Sequence, residues 1–377
     1  MNKNWVIKSS GNEEAITTLT RDLGIEKSLA QLLVQRNITT YKEAQDFFRP
    51  DLSNLHDPFL MKNMEVAIQR ILDAIQAGEK VLIYGDYDVD GTTAVALVYS
   101  YFKDYFKDSD YYIPDRYDEG YGISIKGIDY AVKHGFTLII ALDCGIKAVD
   151  KVNYANEKGV EFIICDHHNP GDEIPNAVAV LDPKQEGCPY PYKELSGCGV
   201  GLKLVQAYGI KTGLDANKIY EYLDLVVVSI ASDIVPITGE NRVMSHFGLK
   251  KLNEDPSIGM KAIKEVAGIV KKSLDIEDII FKIGPRINAA GRMESGKKSV
   301  DLLVCDKVED AKCISQTINN FNLDRRNIDT EITRQAIEMI QGDASLKEMN
   351  STVLYNPDWH KGVIGIVASR LLDHFYR

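Results

Sequence analysis

The chain has 377 residues, of which 45% are hydrophobic and 26% are charged, and its formal net charge is −11. This length corresponds to roughly two or three domains, and the composition is typical of a soluble globular protein with a sizeable core. The negative charge excludes non-specific nucleic-acid binding through a globally basic surface, although a local basic groove is compatible with it.

The cysteines and the apolar segments bear on where the protein works. Six cysteines are scattered without a Cys-X-X-Cys pair, which is typical of reduced thiols and argues against a disulfide framework or a zinc ribbon. There is no secretory signal pattern, and the longest apolar run, residues 223–236, contains aspartates and is too short to span a bilayer. We therefore expect a cytoplasmic protein that does not bind membranes.

Residues 1–75 are predicted to form a helical N-terminal segment. The stretches 29–36 and 64–75 are amphipathic at the helical period, and Gly78 follows as a helix C-cap. From residue 80 to residue 235, short apolar strands alternate with helices, which predicts an α/β fold with a parallel sheet flanked by helices. The predicted strands are 81–85, 110–114, 138–142, 161–165 and 177–181, and the predicted helices are 92–107, 124–134, 146–157, 198–212 and 217–231.

The remaining chain is predicted to form a smaller mixed segment, a connecting helix and the start of another domain. Residues 284–292 have the glycines and proline of a loop, residues 308–341 have the pattern of a long polar helix, and residues 352–355 have that of a strand. A Gly-rich turn at 360–370 then enters a helix. Since one strand and one helix cannot make a second C-terminal α/β domain, we expect the chain to be truncated. The expected divisions are 1–75, 76–240, 241–305, 306–345 and 346–377.

Acidic and imidazole side chains follow three of the predicted strands. They are Asp86, Asp88 and Asp90 after the first, Asp143 after the third, and Asp166, His167 and His168 after the fourth. In a parallel sheet covered by helices, ligands bind outside the carboxyl ends of the strands. Burying unpaired carboxylates there would cost several kcal/mol for each. The first stretch alone suits a polar turn with an aspartate helix cap equally well, but the three strand ends together predict a metal site.

Oxygen-rich sites with one or two imidazoles suit Mn²⁺ or Mg²⁺. Asp233 lies in a nearly all-apolar helical run, where a buried carboxylate needs a partner such as a cation; a helix-end cap is the alternative. Two cations about 3.5–4 Å apart can activate water and stabilise the leaving oxygen of a phosphoester, and Asp143 is our candidate for the bridging ligand. The candidate ligands from the residues alone are Asp88, Asp90, Asp143, His167 and Asp233.

The two adjacent histidines allow two interpretations. Successive side chains of an extended segment point to opposite faces. We therefore expect one ring to bind metal, while the other faces substrate or is held by a further partner. The alternative is a pair of ordinary loop histidines at the end of a strand.

Four ordered motifs resemble those of the DHH phosphoesterases. They are GDYDVDGTT at 85–93, LDCGI at 142–146, CDHHNP at 165–170 and SIASDIVP at 229–236. Further similar segments lie at 36–38, 55–58, 113–124, 196–204, 284–293 and 360–371, so the resemblance covers nearly the whole chain in order. Within that superfamily the sequence is most similar to the single-strand-specific exonucleases.

The resemblance implies a metal-dependent exonuclease that hydrolyses single-stranded DNA in the 5′→3′ direction to mononucleotides, in DNA repair and recombination. Single-stranded DNA is the expected partner, a helicase and a single-strand-binding protein are candidate protein partners, and we expect a monomer. The alternatives are a DHH phosphodiesterase that acts on oligoribonucleotides or cyclic dinucleotides, and a non-catalytic relative. The resemblance implies two sites for Mn²⁺ or Mg²⁺ and catalytic roles for Asp88, Asp90, Asp143, His167, His168 and Asp233.

The sequence departs from the DHH pattern at Tyr84, where many of these enzymes have a metal-binding histidine. Asp86 is therefore expected to bind the second metal or to support its ligands. The resemblance also assigns the last motif, residues 360–371, to the start of a DHH-associated domain.

Six residues outside the metal cluster are candidates for contacting the DNA strand. The arginines and the amide of the 284–292 segment suit the DNA backbone, because guanidinium forks match phosphate oxygens; surface arginines in a structural loop are the alternative. Arg116 and Tyr121, which follow the second predicted strand, suit contact with a terminal phosphate or a stacked base. The alternative is that the tyrosine packs against other side chains of the protein, as tyrosines usually do. His360, the last candidate, begins a turn that resembles a substrate-binding element. They are Arg286, Asn288, Arg292, Arg116, Tyr121 and His360.

Overall fold

The computed structural model describes residues 4–269, 273–343, 346 and 349–375. The N-terminal segment is helical, as predicted, and Gly78 caps its last helix in the left-handed conformation at φ +66°. The first three helices have a small core of their own around Ile16 and Leu19, whereas the fourth packs into the main core. The helices are α1 Glu13–Leu23, α2 Lys27–Val34, α3 Tyr41–Phe48 and α4 Met64–Ala77.

A five-stranded parallel sheet forms the centre of the molecule, in the order β2-β1-β3-β4-β5. Side chains of β1 alternate between its faces: Val81 and Ile83 lie in one hydrophobic core, and Leu82 and Tyr84 lie in the other. The α/β prediction is thus confirmed. The strands are β1 Lys80–Gly85, β2 Asp108–Tyr112, β3 Leu138–Leu142, β4 Glu161–Cys165 and β5 Ala179–Leu181.

Helices cover both faces of this sheet. The larger core lies against α4, α5, α8 and α10, and the smaller one against α6 and α7. The predicted helix 217–231 is two helices in the structure, separated by a turn at Glu221 and Tyr222. The helices of this region are α5 Val89–Phe102, α6 Ile125–His134, α7 Val149–Glu157, α8 Gly197–Thr212, α9 Ala216–Tyr220 and α10 Leu223–Asp233.

The rest of the described chain is mainly helical. The connecting helix α16 has 35 residues, which gives it a length of roughly 50 Å. Its first part packs on α12, α14 and α15, and its later part packs on α17. Within the described residues no helix is long and apolar enough to cross a membrane. The helices are α11 Gly239–Glu254, α12 Ile258–Val266, α13 Ile276–Asp278, α14 Gly284–Met293, α15 Lys297–Leu303, α16 Val308–Gly342 and α17 Ile364–His374.

The prediction of a loop at 284–292 is wrong, because these residues form α14. Pro285 lies in the first turn of α14, which continues directly from a π-helical turn at Ile279–Ile283. Both terminal glycines of the motif are positions of close helix packing. A Cβ on Gly284 would lie 2.7 Å from Ser232 Oγ, and one on Gly291 would lie 2.8 Å from the carbonyl oxygen of Tyr87. The glycines therefore bring α14 against the strand-end residues.

The predicted strand at 352–355 is also absent from the structure. These residues have no regular secondary structure but alternate in exposure, with Val353 and Tyr355 exposed. A strand also needs a neighbour for its backbone hydrogen bonds, and among the described residues the only sheet is the five-stranded one. The alternation of the side chains was predicted correctly, but the expected pairing with another strand was not.

Candidate metal centre

Four aspartates stand in a row at the carboxyl edge of the sheet. In the register of the sheet, Gly85 pairs with Leu142, Leu142 with Cys165, and Cys165 with Leu181. The residue after each of these is an aspartate, and all four side chains are buried. The row is Asp86, Asp143, Asp166 and Asp182. Parallel pairing therefore converts four separate strand ends into one acidic edge.

Asp143 is held in a backbone conformation that aspartate rarely adopts. Its φ is +58°, in the left-handed region, and its N–H donates to the carbonyl oxygen of Cys165 at 2.9 Å. A Cβ on Gly197 would lie 2.6 Å from Asp143 Oδ1, so glycine at this position lets α8 begin directly beside the carboxylate. Such strain is maintained only where the surroundings fix it, and it is concentrated at functional sites.

Asp90 is fixed by three hydrogen-bond donors. The backbone N–H groups of Gly197 and Cys198 donate to its two oxygens at 2.7 and 2.8 Å, and Ser229 Oγ donates to Oδ1 at 2.7 Å. The first two donors belong to the start of α8, where free N–H groups and the helix dipole favour an anion. The carboxylate of Asp90 is therefore rigidly positioned.

His167 lies among three carboxylates from different parts of the fold. Its Nε2 atom is 3.1 Å from Asp143 Oδ1, 3.6 Å from Asp90 Oδ2 and 3.7 Å from Asp233 Oδ2. Among the described residues there are two groups of potential metal ligands whose donor atoms lie within 4.8 Å of one another. Both groups include His167. They are Asp143, His167 and His168, and Asp90, His167 and Asp233.

Several donor atoms at this edge are buried without a hydrogen-bond partner. They include Asp143 Oδ1, Asp86 Oδ2 and both ring nitrogens of His167. Buried polar atoms are otherwise nearly always paired, since leaving one unpaired costs free energy. Carboxylate oxygens with imidazole nitrogens are the donor set that suits Mn²⁺ or Mg²⁺. The residues present therefore fit a divalent cation.

The pKa values of the cluster point to the same conclusion. Burial raises the pKa of Asp143 well above its usual range, and repulsion from Asp90 and Asp88 adds to the effect. Burial, with the same neighbouring charges, raises the pKa of Asp233 to about 7. Burial and the charge of Asp88 raise the pKa of Asp86 to about 7. A cation between such groups would favour their charged forms.

His168 is oriented by Asp166, a role that the sequence did not reveal. Asp166 Oδ1 lies 2.7 Å from His168 Nδ1 and accepts the backbone N–H groups of both His167 and His168. The chain bends around this carboxylate, and the two imidazole rings lie 4.6 Å apart. The expectation that alternation sends the two rings to opposite faces is therefore wrong, although one ring is held by a further partner as expected. The hydrogen bond with Asp166 raises the pKa of His168.

Asp86 and Asp88 belong to neither group of potential ligands among the described residues. Asp88 caps helix α5 by accepting the Gly91 N–H at 3.0 Å. The Tyr84 hydroxyl donates to the Gly122 carbonyl oxygen and accepts the Ser124 N–H, so it is already satisfied and contributes no ligand. Ligand roles for Asp86 and Asp88 remain predictions.

Asp233 was predicted to be a buried residue within a helix, and its position in the structure is different. It is the last residue of α10, and its side chain is 30% exposed. Ile234 follows at φ +59°, which is rare for a β-branched residue, and this turn ends the helix beside His167. The carboxylate therefore lies at the open side of the cluster.

Of the six candidates for contacting the DNA strand, Tyr121 contacts the metal cluster, whereas Arg116, Arg292 and His360 contact other parts of the fold. Tyr121 OH is 3.3 Å from His168 Nε2, and the Arg116 guanidinium lies 4.7 Å from the centre of the Tyr87 ring. Arg292 Nη1 donates to the Gly362 carbonyl oxygen at 2.8 Å, and Gly362 N–H donates to His360 Nδ1 at 3.1 Å. These bonds hold the 360–362 turn against α14.

The remaining two candidates lie on α14 itself. Arg286 donates to Asn319 Oδ1 and to the Lys282 carbonyl oxygen, at 2.9 and 2.7 Å. Asn288 lines a pocket beside Ser232. Sequence reasoning did not single out Asp182 or Ser229. Asp182 could have been found by the same sign as the others, an aspartate directly after a predicted strand.

The sequence and fold of this chain are similar to those of known proteins. Residues 80–230 match the DHH family, N-terminal domain. A crystal structure of exonuclease RecJ bound to manganese superposes with a TM-score of 0.77 and 30% identity, over 87% of this chain and 80% of that one. The chain therefore belongs to the DHH family. Within that family, proteins similar to this chain carry the name RecJ.

Two curated relatives illustrate the extent of the match. The single-stranded-DNA-specific exonuclease RecJ of Bacillus subtilis is 37% identical over 99% of this chain and 46% of its own length. The protein of the same name from Haemophilus influenzae is 33% identical over 86% of this chain and 59% of its own length. The chain thus spans about half the length of the curated relatives it matches.

Proposed function

We propose that this protein is a metal-dependent exonuclease that hydrolyses the phosphodiester bonds of single-stranded DNA from the 5′ end to mononucleotides, in DNA repair and recombination. The observation that supports this best is the meeting of Asp90, Asp143 and Asp233 within 3.1–3.7 Å of one imidazole nitrogen of His167. The names of the similar proteins, single-stranded-DNA-specific exonuclease and exonuclease bound to manganese, support the substrate and the cofactor.

We assign Mn²⁺ or Mg²⁺ to this cluster, where Asp90, Asp143, His167 and Asp233 would hold it. The imidazole nitrogen of His167 would bind one cation, and Asp143 is proposed as the bridging carboxylate. When bound, such cations activate water and neutralise charge on the phosphate. Asp90 contributes a carboxylate that three donors keep in place, so little reorganisation is needed during the reaction. Asp86 and Asp88 complete the proposed set at the side of the cluster next to β1.

His168 is proposed to donate a hydrogen bond to the scissile phosphate. Its Nδ1 is held by Asp166, which leaves Nε2 facing Tyr121 at the open side of the cluster. Tyr121 is 52% exposed, so its ring is available to stack on a base. The arginines of α14, with Asn288, Arg116 and His360, are proposed to bind the DNA backbone.

Partners and compartment are further parts of this proposal. We propose a monomer that works in the cytoplasm on strands supplied by a helicase or covered by single-strand-binding protein. In the part of the chain that the structure describes, all six cysteines are free thiols, which suits a reducing compartment.

The test is degradation of a synthetic DNA strand that carries its label at the 5′ or the 3′ end. With Mn²⁺, the 5′ label should appear at once in a mononucleotide, while the 3′ label should remain in progressively shorter strands. The exposed Asp150 on α7 provides a matched control, since Asp150→Asn should leave the rate unchanged. Release of the 3′ label first, or no degradation with Mn²⁺ present, would exclude the proposed activity.

A further inference from the structure

A pocket of about 180 Å³ lies beside the metal centre, where four helices meet. Its walls include Ser232 from α10, Asn288 and Arg292 from α14, Arg325 from α16 and Ile366 from α17. Ser232 directly precedes Asp233. The volume corresponds to roughly six water molecules, which is enough for one tetrahedral oxyanion.

Two donors in the walls of this pocket have no partner. Ser232 Oγ and Arg325 Nε are buried and make no hydrogen bond in the described structure. The rest of the Arg325 guanidinium is fixed, because Nη2 donates to Asn322 Oδ1 at 2.8 Å and Nη1 lies 3.4 Å from Asp329 Oδ2. A buried guanidinium N–H without an acceptor is costly, so an acceptor from outside the chain fits this position.

The charges around the pocket are unbalanced. Asp329 is shared by Arg325 and Arg370, which lies 2.6 Å from its Oδ1. Among the described residues, Arg286 and Arg292 have carbonyl and amide partners, and no carboxylate lies within 4 Å of either guanidinium. Burial and the neighbouring arginines lower the pKa of Arg286, Arg292 and Arg325. An anion would relieve this repulsion.

We propose that Arg325 and Ser232 bind a phosphate of the DNA strand that is adjacent to the bond being cut. This inference rests on the proposed function and adds a subsite to it. A phosphodiester offers two charged oxygens that accept from guanidinium and hydroxyl donors. Since Ser232 adjoins Asp233, the linkage held here lies close to the scissile one in the strand.

The subsite gives the connecting helix a role in substrate recognition. Arg325 belongs to α16, and Asp329 joins it to Arg370 of α17, so a phosphate bound by Arg325 is linked through α16 to α17. A substrate with one phosphodiester has no second phosphodiester for this pocket. The protein should therefore cut dinucleotides more slowly than longer strands, independently of base identity.

The experiment replaces single linkages of a 3′-labelled oligothymidylate by uncharged methylphosphonates and measures release of the first nucleotide with Mn²⁺. Wild type should slow by about tenfold at one linkage, the loss expected for one charge-assisted hydrogen bond. Arg325→Gln should show the same loss on the unmodified strand and no further loss at that linkage, whereas Arg325→Lys should be intermediate. Arg334→Gln, an exposed arginine on the same helix, is the control and should behave as wild type.

Two further measurements distinguish binding from a structural effect. Arg325→Gln should reduce the slope of log rate against log salt by about 0.7, the value for one phosphate of a single strand. Ser232→Ala should show reduced sensitivity at the same linkage, and it replaces Arg325→Gln if that variant fails to fold by circular dichroism.

The outcomes separate this inference from the proposed function. A wild-type protein that does not degrade the unmodified strand overturns both. Normal degradation by wild type, with variants that keep full sensitivity at every linkage, overturns the subsite alone. Inhibition of wild type by inorganic phosphate, lost in Arg325→Gln without any linkage effect, assigns the pocket to free phosphate and overturns the strand subsite.

Discussion

His167 Nε2 lies 3.1 Å from Asp143 Oδ1, and both side chains are almost completely buried. The two residues follow neighbouring strands, β4 and β3, and the pairing of Leu142 with Cys165 brings their backbones together. Neither atom makes a hydrogen bond of normal geometry. The contact is therefore better explained by a shared cation than by an ion pair, and this has consequences that can be measured.

The stability of the metal-free protein should rise as the pH falls from about 8 to about 5. Asp86 and Asp233 have a pKa of about 7 in the folded protein, whereas an unfolded aspartate titrates near ~3.9. The folded state therefore binds more protons in this window, and acidification favours it. His167, whose pKa is lowered by burial, opposes this trend, but the carboxylates outnumber it.

Thermal unfolding at pH 6 and pH 8 tests this pH dependence. With chelator, the protein should melt at a higher temperature at pH 6. With Mn²⁺ the order should reverse, because the cation binds the deprotonated groups. The double variant Asp86→Asn, Asp233→Asn should weaken the dependence in chelator, while Asp143 and Asp182, whose pKa values burial also raises, retain part of it. A chelated protein that is more stable at pH 8 than at pH 6 would refute the proposed electrostatics.

Asp166→Asn should reduce activity by about 10–100-fold, as expected for a partner that orients a functional imidazole. The carboxylate holds His168 Nδ1 at 2.7 Å and raises the pKa of that histidine. Because His168 donates from Nε2 only when its ring is protonated, its pKa sets the alkaline limb of the pH–rate profile, and that limb should move to lower pH. Rates measured from pH 5 to pH 9 check both effects. An unchanged profile with full activity would remove Asp166 from the mechanism, and Asp150→Asn again serves as the control.

Arg286→Gln should weaken binding of single-stranded DNA and reduce its salt slope by about 0.7. The residue is half-buried on α14, and a phosphate would compete with its present carbonyl and amide partners. Fluorescence anisotropy with a labelled oligothymidylate, at several salt concentrations, gives both quantities. A variant with lower affinity but the wild-type slope would argue against a phosphate contact. Arg334→Gln should leave affinity and slope unchanged.

Lys203→Met should destabilise the fold by about 3–5 kcal/mol, because it leaves a buried carboxylate without its cation. Lys203 Nζ lies 2.6 Å from Glu240 Oε1, and both side chains are at most 1% exposed. Glu240 also accepts from the backbone N–H of His56 and from Tyr190, so the pair attaches the 55–58 segment to α8 and α11.

Urea unfolding measures this loss against a matched variant on the same helix. Lys211 also lies 2.6 Å from a carboxylate, that of Glu65, but both side chains are exposed. Lys211→Met should therefore cost less than about 1 kcal/mol. Equal losses in the two variants would show that burial does not determine the contribution of the Lys203 pair.

The strand-end chemistry could be predicted from sequence because it needs only local information. A short apolar run followed by aspartate indicates where a buried strand emerges, and parallel pairing then places Asp143 and His167 together. Asp182 also follows a strand whose end was predicted correctly at residue 181, so the same sign would have identified it. The orienting role of Asp166 depends on a bend of the backbone that no pattern of side chains reveals.

Other features depended on tertiary contacts. Gly284 and Pro285 suggested a loop, but the proline lies in a first turn and the glycine permits close packing against Ser232. Residues 352–355 have a strand pattern, but the described residues provide no neighbouring strand. The polar pattern of α16 could not indicate that Arg325, unlike Arg334, faces a pocket, since that depends on which helices pack around it.

Titration of Mn²⁺ into the chelator-treated protein, followed by calorimetry and by strand degradation in the same samples, tests the central claim most directly. Wild type should bind Mn²⁺ and acquire exonuclease activity in proportion to occupancy. Asp143→Asn should keep the fold by circular dichroism but lose activity by more than the roughly 100-fold typical of a supporting residue. A wild-type protein that binds no Mn²⁺, or an Asp143→Asn variant that binds and degrades normally, would contradict the assignment of this cluster as the metal centre.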